Sequence, residues 1–303
     1  MKKTYKKTRL YMGTIVTIKV VTSLNQTSSL QKIEQAFQAI ATVEKICNRF
    51  DENSELSKLS SFVGTPIATS DLLFEAIHFS LEVAKLTNGM FDPTIGHTLE
   101  AYGFNQNYLT GATVSRNDSS EPVNYQDVKL DEKKRTVDLT KQLTLDLGAI
   151  AKGLAVDLAA KELQEFEGYY IDAGGDIYVG GSNEQNEAWT IGIQDPFHQE
   201  NTIASVRLSH AAICTSGSYE RKSSIQPNIN HLIDPHTKTS PSGIVSCTVI
   251  APFTMMADAF STVAFLQGSI KGAMLLEELN LDGMWILSNG EIVMTKGMKE
   301  HLL

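Results

Sequence analysis

The chain has 303 residues, 42% of them hydrophobic, enough apolar material for one large domain or two intimate subdomains. Acidic residues outnumber basic ones, 35 to 26, and the net charge of −9 argues against a nucleic-acid partner, because phosphate backbones demand a basic surface. Cys47, Cys214 and Cys247 are widely spaced and give neither a zinc spacing nor an even disulfide framework, so a reduced, cytoplasmic setting is expected.

The basic cluster Lys2, Lys3, Lys6, Lys7 and Arg9 runs directly into Tyr11–Val16, without the apolar core of a signal peptide. Residues 11–21 alternate Met12, Thr14, Val16, Ile18 and Val20 with a second set, the pattern of a half-buried strand. Ser28 or Ser29 is expected to cap a helix through Leu30, Ile33, Phe37, Ile40 and Val43. Ser70 or Asp71 starts a second helix, which Asn88-Gly89 stops. Residues at about 105–127 are polar and weakly patterned, and read as an exposed insertion. Val128 to Leu145 reads as two short strands about the charged turn Asp131–Lys134.

The run Asp146–Gly153 places an acid, two glycines and a lysine where a helix with Leu154, Leu158 and Leu163 opens. Free backbone N–H groups and a positive dipole end there suit a phosphate or anion, although neither Gly-x-x-x-x-Gly-Lys-Ser/Thr nor Gly-x-Gly-x-x-Gly is present. Beyond it, residues 169–179, 189–194, 202–208, 211–214 and 244–250 read as strands. Helices are expected at about 255–266 and 270–279, followed by a hairpin about Ser288-Asn289-Gly290. No run approaches the roughly 18 apolar residues of a membrane span. The expected class is α+β, with largely antiparallel sheets and helices covering one side.

Three segments carry chemistry. Asp258 and Thr262 are one helical turn apart, and such hard oxygen ligands suit Mg²⁺; equally, Asp258 would serve as a first-turn acid and Thr262 as a small packing residue. His231 precedes Leu232-Ile233-Asp234-Pro235 on a loop, as a proton acceptor or as part of a surface turn. The two glycines within Ile171–Ile177 mark close backbone approach, to a ligand or to a neighbouring strand. Cys214–Tyr219 lacks Gly-x-Ser-x-Gly, which excludes the usual serine-hydrolase turn.

Eight segments in order resemble the ApbE family, the FAD:protein FMN transferases. They are Met12-Gly13-Thr14, Asn53–Leu59, Gly89–Thr94, Asp146–Gly153, Asp172–Asp176, Ser216–Tyr219, His231–Pro235 and Ala257-Asp258-Ala259. The resemblance implies one ApbE-type, T-fold-like domain over residues 1–303, made of two intimate subdomains with the active site in the cleft between them. It implies that a threonine or serine hydroxyl of an acceptor flavoprotein attacks the FMN-side phosphorus of FAD and AMP leaves, with Mg²⁺ at the diphosphate. By the same resemblance, Ala149 (through its carbonyl), Asp258 and Thr262 hold the metal, and His231 is the base. Met12, Phe50, Met90, Phe91, Asp92, Asp146, Lys152 and Leu232 match positions that line the FAD site.

The chain departs from its relatives at two points. His236-Thr237-Lys238 stands where they often have a basic residue, threonine and glycine, so the turn after Pro235 is expected to change. Phe50 stands where many have tyrosine, which keeps a ring and loses a hydroxyl. A monomer or weak dimer is expected, with no membrane segment and no nucleic-acid partner. Two other readings use the same residues: an Mg²⁺-dependent FAD pyrophosphatase, and a flavin-binding protein without turnover. No residue points to thiamine synthesis.

Overall fold

The structure, a computed structural model, describes residues 2–107, 111, 113, 114 and 121–303. In chain order its elements are β1 (Lys3–Tyr11), β2 (Thr14–Thr22), α1 (Gln26–Cys47), α2 (Glu55–Leu59), β3 (Ile67–Ala68), α3 (Asp71–Leu86) and α4 (Gly96–Ala101). A 3-10 turn (Tyr125–Asp127) leads into β4 (Val128–Asp131), β5 (Thr136–Leu139), α5 (Ala151–Glu162), β6 (Gly168–Ala173), β7 (Ile177–Gly181), β8 (Trp189–Gln194) and β9 (Thr202–Leu208). The rest comprises β10 (Ala211–Gly217), β11 (Ile244–Ala251), α6 (Thr254–Glu278), β12 (Asp282–Leu287), β13 (Ile292–Met294) and α7 (Met298–His301). The chain divides into two compact units. One is Met1–Ala41, Lys152–Tyr219 and Ser242–Leu303; the other is Thr42–Ala151 and Glu220–Pro241.

The first unit is built on an eight-stranded sheet in the order β1-β2-β6-β7-β10-β11-β12-β13. Every neighbouring pair in it is antiparallel, as the sequence pattern implies. Alternation then assigns the faces. Ile213, Ile250, Met284 and Ile286 meet Trp189, Ile191, Val206 and Leu208 of the β8–β9 hairpin in one apolar cluster. The other parity carries Cys214, Ser216 and Trp285, which hydrogen-bond to α6.

One expected strand proves to be a hairpin, and another proves to be the second strand of one. The alternation over 11–21 begins one strand too late. Met12 (φ 52°) and Gly13 (φ 72°) form a two-residue turn, and the basic N-terminal segment is its first strand, β1. The 169–179 run is cut into β6 and β7 by Gly174 (φ 68°) and Gly175 (φ 96°). The close approach at Gly174 is to a neighbouring strand, since a Cβ there would lie 2.3 Å from the Thr14 hydroxyl oxygen, whereas a Cβ on Gly175 would meet nothing within 4 Å. The α1 cap is Asn25 and not Ser28 or Ser29: its Oδ1 accepts the Ser28 N–H at 2.9 Å. The two expected C-terminal helices are both present as the halves of α6, separated by a kink at the non-helical Gly268 (φ 85°). By length and composition α6 would cross a membrane, yet it packs on β10, β11 and β12 and buries Asp258.

Helices α5 and α6 cap each other. The N-cap residue of α6, Phe253, makes no side-chain cap, and Asp157 of α5 accepts the Thr254 and Met255 N–H groups at 2.7 and 2.9 Å. In return Asp258 of α6 accepts the Gly153 N–H in the first turn of α5 at 3.1 Å. Only glycine permits this contact. A Cβ at position 153 would lie 2.5 Å from the Thr254 carbonyl oxygen and 2.6 Å from the Met255 Cα.

The second unit holds α2, α3, α4 and the small antiparallel sheet β3-β5-β4. Ser70 caps α3 by accepting the Leu73 N–H, and Asn88 (φ 51°) with Gly89 (φ 78°) ends it, as the sequence indicates. Of the expected 105–127 insertion, residues 108–110, 112 and 115–120 lie outside the described residues. Its C-terminal end is ordered by a capping box between Asn124 and Asp127.

Gly153→Ala is expected to lower unfolding stability by about 1–3 kcal/mol, because backbone must move to admit the methyl group. Chemical denaturation checks it, and an unchanged midpoint would mean that α5 and α6 are not in close contact.

Candidate active site

In the first unit, the start of α5 brings Lys152 between two acids. Its ammonium bonds Asp176 Oδ2 and lies 3.9 Å from Asp258 Oδ2. Both carboxylates are buried, with side-chain exposures of 4% and 6%. Burial opposes the charge on Lys152, but Asp176 and Asp258 outweigh it and hold the amine above the ordinary lysine range. Burial and the neighbouring Asp176 push Asp258 up to about 7, against the pull of Lys152. The nearby Cys214 thiol is driven well up by burial, so it stays protonated.

One turn beyond Asp258, Thr262 joins a hydroxyl cluster. Its Oγ1 lies 3.1 Å from Ser216 Oγ, which is 2.8 Å from Ser261 Oγ. The bland sequence reading of Asp258 is thereby revised, since its carboxylate caps α5 and not its own helix. Among the described residues no group of three or more His, Cys, Asp or Glu side chains gathers to hold a metal. Asp258 and Thr262, one helical turn apart, instead offer hard oxygen, the donor type that suits Mg²⁺, and both described contacts of the Asp258 carboxylate are through Oδ2.

The segment Asp146–Gly153 is not an open phosphate cradle. The Gly148 N–H is taken by Asp146 Oδ1 at 2.7 Å, those of Ile150 and Ala151 by the Leu147 carbonyl, and that of Gly153 by Asp258. Ala149 lies in the turn that leads into α5. Met12 occupies the β1–β2 turn and is half-buried.

In the second unit Arg49, which sequence reasoning missed, organises several of the expected positions. It is 5% exposed and donates to Asp146 Oδ2, to Glu100 at 3.2 Å and to the Phe104 carbonyl at 2.5 Å, while its guanidinium sits 4.2 Å from the Phe50 ring centroid. Asp146 is tied to the Met90–Asp92 segment through its N–H to the Pro93 carbonyl, at 2.7 Å. Phe91 is buried and Met90 half-buried. Asp92 accepts from the Thr94 N–H and hydroxyl and from the Tyr125 N–H, and burial raises its pKa despite them.

The loop carrying His231 is anchored on either side. Ile229 and Ile233 pack with Leu99 and Phe104, and Leu232 is buried. The His231 N–H donates to the Arg221 carbonyl at 3.1 Å, and its Nδ1 lies 3.4 Å from the same oxygen. The missing glycine after Pro235 falls at Lys238. Lys238 adopts φ 55°, a conformation glycine takes freely, and Asp234 accepts the His236 N–H at 2.8 Å. His236 and Tyr125 both face Gly89, next to the Asp92 segment, a placement the sequence did not indicate.

Comparison with known proteins bears on the family resemblance of the sequence. The ApbE family model matches residues 12–285. The chain belongs to the ApbE family. The FAD:protein FMN transferase of Haemophilus influenzae is 28% identical over 302 residues, covering 94% of this chain and 87% of that protein. The crystal structure of the ApbE protein of Thermotoga maritima superposes with a TM-score of 0.86 at 27% identity, over 99% of each chain. The flavin transferase ApbE of Vibrio cholerae, 23% identical, shares the fold with a TM-score of 0.84 over 100% of both chains.

Replacing Arg49 by Met would strand Asp146 and Glu100 without their cation. We expect a loss of about 3–5 kcal/mol in unfolding free energy, only partly recovered by Arg49→Lys, because an ammonium lacks the planar fork. Equal stability of Arg49→Met and wild type would contradict the arrangement.

Proposed function

We propose that this ApbE-family protein transfers the FMN moiety of FAD to a threonine or serine hydroxyl of an acceptor flavoprotein. The observation that carries the reading is the Lys152–Asp258–Thr262 arrangement, found in a chain whose curated relatives are named FAD:protein FMN transferases. In the proposed step the acceptor oxygen bonds the FMN-side phosphorus and the bond from that phosphorus to the oxygen of the AMP phosphate breaks. The hydroxyl proton passes to His231, and AMP leaves with the bonding pair.

A Mg²⁺ held by Asp258, Thr262 and, as the family resemblance adds, the Ala149 carbonyl would neutralise charge on the diphosphate. Phosphoryl transfer leaves little covalent work to the protein beyond positioning and charge neutralisation. The remaining residues fit that demand. Lys152 brings a fixed positive charge, and Phe50 offers a ring already stacked on Arg49. Met12, Met90, Phe91, Asp92, Asp146 and Leu232 are assigned to FAD binding. Asp146 would act with Arg49 as its counter-ion rather than as an isolated acid.

Two variants test the assignments in an assay of FAD and Mg²⁺ with an acceptor, read as flavin bound covalently to the acceptor. His231→Ala should lose about 10²–10⁴ in rate with FAD affinity little changed. Asp258→Ala should lose metal-dependent transfer. Activity of the Asp258 variant in chelator equal to that of wild type with Mg²⁺ would refute the metal assignment. Release of free FMN and AMP with no labelled acceptor would favour a pyrophosphatase, and intact bound FAD a binding protein.

A further inference from the structure

The Asp172–Asp176 motif has no part in the proposed step, yet its turn is tightly specified. The Asp172 Oδ1 accepts the Gly175 N–H at 2.9 Å, and the Ala173 N–H donates to the Asp176 carbonyl at 3.0 Å. With Gly174 and Gly175 both at positive φ, the turn delivers one buried carboxylate, Asp176, to the Lys152 ammonium. Lys152 therefore faces two acids from different elements and bonds only one of them. Asp258, at 3.9 Å, lies beyond hydrogen-bond range.

The geometry points to Asp176 as a positioning residue that holds the Lys152 ammonium off Asp258, leaving that carboxylate open to a divalent cation. The inference rests on the reading of Asp258 as a metal ligand. Two carboxylates meet one ammonium in a buried place and the ammonium bonds only Asp176, so Asp258 is left without a bonded cation of its own. Were Asp176 neutral, the flexible lysine would have one carboxylate within reach and would close on Asp258. The cation would then have to break an internal ion pair to bind. The other groups at Asp176 and Asp258 do not replace this hold, since the Cys214 thiol is protonated and the Gly153 N–H is neutral.

The test is a double-mutant cycle on Mn²⁺ affinity, measured by electron paramagnetic resonance with saturating FAD and no acceptor. The proteins are wild type, Asp176→Asn, Lys152→Met and the double variant. With Lys152 present, Asp176→Asn should weaken Mn²⁺ binding about 10–100-fold, as for residues that orient metal ligands. In the Lys152→Met background the same change should cost no more than about twofold, the limit of simple additivity. Asp176→Ser serves the same cycle if Asp176→Asn does not fold. An equal loss in both backgrounds, or none in either, overturns the inference, because Asp176 would then act through its charge or fold alone. Wild type that binds no Mn²⁺ overturns the metal assignment at Asp258 itself.

Discussion

The contact on which the proposed metal site depends is the exchange of caps between α5 and α6. A helix start leaves backbone N–H groups without partners, and here each of the two starts is served by an acid from the other helix. Asp157 closes α6, and Asp258 closes α5 through Gly153. The exchange works only because Gly153 has no side chain to hold the backbones apart. It also fixes chemistry. Lys152 precedes Gly153, so the contact that sets the helix spacing also sets the distance from the ammonium to Asp258.

The two units treat buried charge in opposite ways. In the second, one guanidinium satisfies two carboxylates and a carbonyl, and Arg49 acts as a structural tie beneath Phe50. In the first, one ammonium meets two carboxylates and bonds only one. Each arrangement sets one cation against two acids, but the Arg49 fork hydrogen-bonds both of its carboxylates, whereas the Lys152 ammonium leaves Asp258 beyond hydrogen-bond range. A buried group with unspent charge is where a cation or a charged substrate gains most. That difference, more than the presence of acids as such, separates the proposed metal position from the acids around Arg49.

Much of this was legible in the sequence. Helical spacing located α1, α3 and α6, and turn residues located the β4–β5 and β12–β13 hairpins. Misreadings arose where backbone conformation overrode an unbroken pattern. Met12-Gly13 turns the chain into the expected strand from the unread strand β1, and Gly174-Gly175 splits one apparent strand into two, since alternation continues through a tight turn. Two subdomains were expected, but which segments form each unit was not readable, because each is assembled from segments distant in sequence. The candidate residues Asp258, Thr262 and Lys152 could be named because their motifs are local. Their partners were hidden for the converse reason: Asp176 is 24 residues from Lys152, and Arg49 is 97 from Asp146. No local pattern records a buried ion pair, although an acid expected in a buried segment is itself a reason to look for its cation.

The central claim is covalent transfer of FMN to a protein hydroxyl, and mass spectrometry of an acceptor protein tests it most directly. After incubation with the enzyme, FAD and Mg²⁺, the account predicts one added FMN on a single threonine- or serine-containing peptide, with one AMP released per acceptor modified. An acceptor of unchanged mass while FAD is consumed to free FMN and AMP would contradict it.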